Sequence, residues 1–423
     1  MKVLVLGAGA VGTVSALKFA RNRVFSQIVV ADAVPGRAQA LAARIGDPRV
    51  RPLTLDAGSQ QDVSDAIRQT GTDLLLNAAL PATNLTVMRA CLDAGADYMD
   101  LASGGTDADG IPKLDDQFAL DTAFRSRGRL ALLGIGADPG TSNIYASYIA
   151  KHLLDDVTAF HVRDGDDAVY DGPSPTTGLV AGFSPWVFID ECLCPATVFR
   201  DGLFQHAEPL SGAEVFDFPE LGRLPCYHVD HEESKTLPRF IRGVRTTDFK
   251  IFLSQDTLET LRVLKRTGLS RKSAIRVGSV EMVPRNLVVA LLPQPSDLAG
   301  KLRGRSCVGT LGRGVKDGEE RAYYMYSISD HQEVYAELGV QATAYQTGIP
   351  PVVAAELVAA GVWRGAGVLS PEQFDPDPFL ERLPAAGMAW QVREMPAGYG
   401  AGRVRRWRSL GWQRPTQVTD RVA

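Results

Sequence analysis

Residues 1–40 read MKVLVLGAGAVGTVSALKFARNRVFSQIVVADAVPGRAQA, and this stretch decides the fold. Val3 to Leu6 form a short apolar run, Gly7, Gly9 and Gly12 supply G-x-G-x-x-G, and Val11, Val14, Leu17 and Phe19 continue at helical spacing. The order is strand, glycine turn, helix. Gly7 serves the tight turn, Gly9 lets the backbone approach a pyrophosphate, and Gly12 lets helix and strand pack closely. Ala10 and Val11 open the helix, whose free N–H groups would face the phosphates. A second apolar run, Ile28 to Ala31, ends in Asp32, twenty residues after Gly12 and placed to reach the adenosine ribose hydroxyls.

Outward from that stretch, strand and helix alternate. Helices are expected at 36–45, 61–69, 85–94 and 114–126, and strands at 50–55, 73–77, 97–101 and 130–134. Such alternation implies a doubly wound parallel (Rossmann) sheet with helices on both faces. Ligands of such a sheet bind beyond the carboxyl ends of its strands, which adds Ala33, Arg37, Asp56, Ala57, Asn77, Ala78 and Leu80 to the candidate cofactor residues. The pattern changes at GIGADPGTSN, residues 134–143, where Asp138 is expected to cap a helix starting at Pro139. The N–H groups of that helix could also hold part of the cofactor or an anionic substrate group.

From Val157 onward, alternating strands, an Asp201-Gly202 turn and the pair around GVKDGEERAYYMYSIS predict a second α+β domain on a mainly antiparallel sheet. Helices are expected within it at 257–266 and 284–292. The boundaries read as 1–140 for the nucleotide domain, 141–345 for the substrate and dimerisation domain, and 391–423 for a basic tail. The apolar run IPPVVAAELVAAGVW in 346–390 is read as a returning helix, buried against the first domain or a partner subunit. The tail carries seven arginines against two acids and is read as a flexible or docking arm.

Composition narrows the class. The 423 residues carry a net charge of −4 and are 45% hydrophobic, giving no basic field for nucleic acid. With no long uncharged apolar run and no apolar leader, neither a membrane span nor a signal peptide is expected. Five cysteines without a C-x-x-C pair fit a reduced, cytoplasmic setting, with Cys192 and Cys194 read as structural thiols.

Residues 279–379, together with VDHEES at 229–234, GADPGTSN at 136–143 and the opening nucleotide fold, resemble the saccharopine dehydrogenase family, most of all its carboxynorspermidine dehydrogenases. The resemblance covers almost the whole chain. It implies a nicotinamide cofactor used to make or break a carbon–nitrogen bond through an imine, with small-molecule amine and aldehyde substrates. Carboxynorspermidine dehydrogenases join aspartate semialdehyde to a diamine, saccharopine reductases join aminoadipate semialdehyde to glutamate, and lysine 6-dehydrogenases oxidise a terminal amine. The carboxynorspermidine enzymes carry Ser-Arg after the second strand, where this chain has Asp32-Ala33. A carboxylate there favours NAD(H), while Arg37 leaves NADP(H) open.

Imine chemistry needs a proton carrier near neutral pH, and His231 with Glu232 and Glu233 supplies one in a segment the resemblance covers. The plainer alternative is a surface ion-pair cluster. If the segment is extended, His231 and Glu233 face one way and Glu232 the other. His331 is the reserve candidate, with a subunit-interface or helix-start role preferred. Substrate contacts are expected from Asp100, Ser103, Asp138, Asn143, Trp186 and Glu191, with Asp190 a further carboxylate and Trp186 offering an aromatic face to a cation. No metal is expected, and a homodimer is. The leading reading is an NAD(P)-dependent enzyme that condenses an amino-acid semialdehyde with an amine. A deaminating amino-acid or diamine dehydrogenase and a non-catalytic NAD(P)H sensor remain open beside it.

Overall fold

The computed structural model describes residues 1–103, 113–172 and 178–399. Its first sheet contains six strands in chain order: β1 (Lys2–Leu6), β2 (Gln27–Asp32), β3 (Val50–Thr54), β4 (Leu74–Asn77), β5 (Asp97–Asp100) and β6 (Leu130–Leu132). All pair in parallel, with β1 central between β2 and β4. Both faces are covered, which is why β1 is apolar without alternation: Val3 and Val5 enter one core while Leu4 and Leu6 enter the other. Helix α1 (Ala10–Arg21) follows the glycine turn. Gly7 has φ of +109°, and a Cβ on Gly12 would lie 1.8 Å from the Gly7 carbonyl oxygen. The turn therefore closes only with glycine at both positions.

The second sheet has nine strands. At its centre lies β7 (Asp156–Asp166), antiparallel to Arg305–Lys316 and parallel to Thr246–Phe252. That parallel pair makes the sheet mixed, though mostly antiparallel. Arg305–Lys316 and Glu319–Asp330 form a twelve-residue ladder around Asp317-Gly318, both at positive φ. Asp201-Gly202 has the same conformation between Ala196–Arg200 and Leu203–Ala207. Both turns match the right-handed twist of their strands.

The expected long helix at 114–126 is two short ones, Lys113–Phe118 and Asp121–Ser126. The return through 346–390 is more than one helix. Ala342–Gly348 packs on α1, where Ser15 Oγ donates to the Gly348 carbonyl at 2.9 Å and a Gly348 Cβ would meet Val14 Cβ at 2.6 Å. Pro350–Ala359 follows as a buried helix, then Gly367–Leu369 pairs in parallel with β6 as the seventh strand of the first sheet. Asp377–Ala386 is the last helix among the described residues. The tail begins as structure too, since Gln391–Met395 pairs with Glu319–Asp330, while the VRRWR arm lies outside the described residues. Among the described residues no helix is long and apolar enough to cross a membrane.

Candidate active site

The first half of the site is the cradle at the carboxyl end of the parallel sheet. Gly9 is the N-cap of α1 and makes no side-chain cap, and the first turn carries no acid. A Cβ at Gly9 would meet nothing within 4 Å, so the approach to these backbone N–H groups is open. That is the environment a pyrophosphate needs. Asp32 is buried with one oxygen accepting from Ala8 N at 2.9 Å and the other from Val34 N at 2.8 Å. It thus ties the glycine turn to β2 while lying at the ribose position. Arg37, exposed, sits 3.7 Å from it, and Ala33 is exposed beside both. Asp56 is exposed and accepts from Gly58 N, next to buried Ala57. Asn77 is occupied by its own loop, accepting from Ala79 N and donating to Thr83 and Asn84. Ala78 carries the carbonyl that packs on Gly7, and Leu80 is exposed at the rim.

The second half is built around His231. The segment is not extended: it turns into the helix Glu233–Phe240, with Glu232 at the N-cap. All three side chains therefore converge where an extended chain would have sent Glu232 away. The imidazole stacks on Phe249 at 3.8 Å between ring centroids and 7° between planes. Its Nδ1–H donates to Glu233 Oε2 at 2.5 Å, and Glu232 Oε2 lies 3.6 Å away. Each glutamate is held in turn: Glu233 accepts from Ser142 Oγ at 2.6 Å, and Glu232 from the amide and hydroxyl of Ser103 at 2.5 and 2.7 Å. This is a buried, oriented triad and not a surface ion-pair cluster. Among the described residues, His231 Nε2 has no hydrogen-bond partner. Burial opposes charge on His231, but Glu233, Glu232 and Glu191 overcome it and raise the imidazole well above its ordinary pKa. Glu232 is lowered despite burial, by His231, Lys235 and Ser103. One donor atom from each of His231, Glu232 and Glu233 lies within 4.8 Å of the others, the spacing of a cation site. The short imidazole–carboxylate contact fills that space with a hydrogen bond.

Around this triad the expected substrate residues divide. Glu191 is buried and pushed up to about 8 by desolvation and by Glu232 and other carboxylates, with His231 opposing. Asp138 does not cap the helix: the helix is Thr141–Tyr148, its N-cap is Gly140, and Asn143 Oδ1 accepts from Gly140 N at 2.9 Å. Asp138 instead keeps part of its surface open and feels the charge of Asp164, a residue on β7 that sequence reasoning missed. Asn143 is spent on structure, its amide also donating to Thr236 and Glu372. Asp100 accepts from Tyr98, Gln117 and the Gly134 amide and is pushed up to about 7 by burial; with Ser103, Gly134, Asn143 and Glu232 it lines a small cavity.

Trp186 is a correction. Its ring is covered by the Arg285 guanidinium at 4.7 Å and its indole N–H donates to Asn286, so its face is already taken by a cation of the chain itself. Asp190 is similarly engaged by Arg285 and Lys272. His331 is the first residue of the helix His331–Leu338 and binds Asp166 at 3.0 Å, the helix-start role. The buried Lys235–Asp230 pair, 2.9 Å apart, also went unread. Its i, i+5 spacing across a helix start, unlike i, i+4, is no signal in sequence.

Residues 3–131 match the saccharopine dehydrogenase NADP binding domain and residues 136–388 the saccharopine dehydrogenase C-terminal domain. The chain is 34% identical over 391 residues to carboxyaminopropylagmatine dehydrogenase of Synechocystis sp., covering 92% of this chain and 96% of that one. It is 30% identical over 415 residues to carboxynorspermidine synthase of Vibrio alginolyticus, covering 94% and 98%. In fold it resembles apo saccharopine dehydrogenase (L-Glu forming) of Saccharomyces cerevisiae, with a TM-score of 0.68 at 16% identity over 93% and 99% of the two chains. It also resembles the homospermidine synthase of Legionella pneumophila in complex with NAD, with a TM-score of 0.70 at 16% identity over 99% and 95%.

Proposed function

The chain belongs to the saccharopine dehydrogenase family as an NAD(P)-dependent dehydrogenase acting on CH–NH bonds, and from that premise we propose that it reductively joins an amino-acid semialdehyde to a cationic amine. The observation that carries the reading is His231, buried, fixed by Glu233 through Nδ1 and, among the described residues, with Nε2 unpartnered. Asp138, Asp164 and Glu191 each feel the charge of His231, and carboxyls so placed would favour a positively charged partner. The relatives named for carboxyaminopropylagmatine and carboxynorspermidine support an amine that carries a second cationic group.

In this reading the carboxylates bind the ammonium, and His231 Nε2 takes its proton as nitrogen attacks the aldehyde. The imidazolium returns that proton to the carbinolamine oxygen, which departs as water. Glu233 keeps the ring oriented and stabilises its charge. The Gly7–Gly12 turn and the start of α1 would hold a nicotinamide cofactor, which would supply the reducing hydride for the iminium carbon. Asp32 favours NAD(H), since a 2′-phosphate would lie against a carboxylate, while Arg37 keeps NADP(H) within reach.

The test is oxidation of NADH and NADPH with aspartate semialdehyde paired in turn with agmatine, diaminopropane, putrescine and glutamate. A secondary amine product should form with at least one cationic amine and faster than with glutamate. Equal rates with glutamate would remove the cation-selective reading, and no oxidation with any pair would remove the condensation itself.

A further inference from the structure

Both glutamates of the triad are held from the nucleotide domain. Glu232 is held directly, by the amide and hydroxyl of Ser103 just past β5. Glu233 is held at several removes. Its Oε1 accepts from Ser142 Oγ in the first turn of the helix Thr141–Tyr148, and the next side chain, Asn143, fixes that turn. Asn143 Oδ1 accepts from Gly140 N at 2.9 Å, closing the helix start, and its amide nitrogen donates to Thr236 Oγ1 and to Glu372 Oε2, each at 3.1 Å. The amide oxygen and both amide protons are used, so the orientation of Asn143 is set by partners on three elements.

Glu372 is the partner that comes from the nucleotide sheet. It lies in the turn Pro371–Gln373, directly after the seventh strand Gly367–Leu369, and that turn packs against both Thr141–Tyr148 and Glu233–Phe240. The Glu372 carboxyl is buried, its Oε2 accepts from Ser370 Oγ as well, and among the described residues Oε1 has no hydrogen-bond partner. Burial pushes this carboxyl above its ordinary pKa, with Ser370, Thr236 and Asn143 opposing. A buried carboxyl with one oxygen unpaired costs stability that an apolar residue of the same size would not. Packing alone does not hold the Asn143 amide either. Asn143, Thr236 and Ser370 line the small cavity between the two domains, so one side of the amide is open.

We propose that Glu372 is a positioning residue for the reaction above: through Asn143 it holds Ser142 Oγ on Glu233, and the imidazole of His231 is thereby aligned by a group carried on the last strand of the nucleotide sheet. Glu372 acts through these side chains and needs no contact with substrate or cofactor. Its part in turnover rests on the condensation reading, whereas the alignment of the ring does not.

The alignment is read without turnover. In the cofactor-free full-length protein labelled with 15N-histidine, the ring nitrogens of His231 are followed through its carbon-bound protons and assigned by their loss in His231→Gln. The Nδ1 shift reports the bond to Glu233. Ser142→Ala should displace it, and Glu372→Ala should displace it in the same direction, because both free Glu233 from its present seat. Glu372→Gln, whose amide oxygen can still accept from Asn143, should displace it much less. An undisplaced shift in Glu372→Ala, or an equal displacement in Glu372→Gln, overturns the positioning role. Should Glu372→Ala fail to fold, Glu372→Asp withdraws the carboxylate from Asn143 by one methylene and should displace the shift too, and an undisplaced one there counts against the proposal.

In turnover, Glu372→Ala should lower kcat about tenfold with little change in KM. In a Ser142→Ala background the same substitution should cost less than about twofold, since the path it acts through is already cut. Full additivity overturns the path through Ser142. Failure of every amine and aldehyde pair to turn over would instead fall on the proposed function and leave the nitrogen shifts standing.

Discussion

His231 combines two demands that usually conflict, burial and charge. Burial alone would leave it neutral, and the 2.5 Å bond to Glu233 reverses that outcome. Replacing His231 by Gln, which keeps polarity without a titrating group, should lower kcat by about 10² to 10⁴. Glu233→Gln should lower it less while moving both the acid limb of the oxidative pH profile and the alkaline limb of the reductive one to lower pH, because the imidazolium loses its counter-charge. Unchanged pH profiles in Glu233→Gln would separate that residue from the proton chemistry. At the cofactor end, Asp32→Ser should raise the NADPH-to-NADH ratio of kcat/KM about tenfold, ~1.4 kcal/mol. Both cofactors should bind more weakly, since the variant also releases Ala8 N. Retention of the wild-type ratio would mean that Asp32 serves the turn alone. These residues were legible from sequence because a glycine turn and a His flanked by carboxylates are local patterns. Asp164 was not, because nothing in HVRDGDD distinguishes an aspartate of the cleft from one on the far face. Trp186 misled for the complementary reason, since Arg285 is 99 positions away in sequence and only folding sets it over the ring.

At the scale of elements, α1 is gripped twice, by its strand through Gly12 and by the helix Ala342–Gly348 through Gly348. The second contact puts a backbone against Val14 with no room for a side chain. Gly348→Val should therefore destabilise by about 1–3 kcal/mol through overpacking, read as a lower urea midpoint with an unchanged m-value. A midpoint within error of the parent would show that the two helices can separate at little cost. Parallel strands and crossover helices of the first sheet were readable because their period changes sharply at each glycine or aspartate. The Asp201-Gly202 and Asp317-Gly318 turns were readable because few residue pairs accept positive φ at both positions. The parallel pairing of β7 with Thr246–Phe252 was not, since alternation shows which residues share a face and says nothing of a strand's neighbour. The helix start at Thr141 was misplaced by two residues because Asp-Pro is a common start signal, and here Gly140 and Asn143 form the cap instead.

At the scale of the molecule, the two sheets differ in what their faces carry. The first is apolar on both sides, whereas the second joins buried Arg163, Lys250 and His161 to partly exposed Glu214 and Asp248 in one ionic network on the face of β7 opposite Asp164. His228, paired in register with Lys250, is held near 4 by burial, with Lys250 and Arg163 adding to the effect, and among the described residues its buried Nδ1 has no partner. A histidine depressed in the fold binds its proton more readily when the chain is unfolded. Stability should therefore fall as pH drops from about 6.5 towards 4, by up to about 3 kcal/mol from this group. Urea unfolding across that range should show the decline in the parent and a shallower one in His228→Gln. Parallel declines in both would place the acid sensitivity elsewhere.

The strand Gly367–Leu369 has a consequence for how the chain is made. It closes the β6 edge of the first sheet, yet it leaves the ribosome only after 234 further residues, eight of the nine strands of the second sheet among them. During synthesis the nucleotide fold must therefore wait with an open edge, a template for pairing with any extended chain nearby. Translation order makes a late-born segment the guard of the first-born sheet.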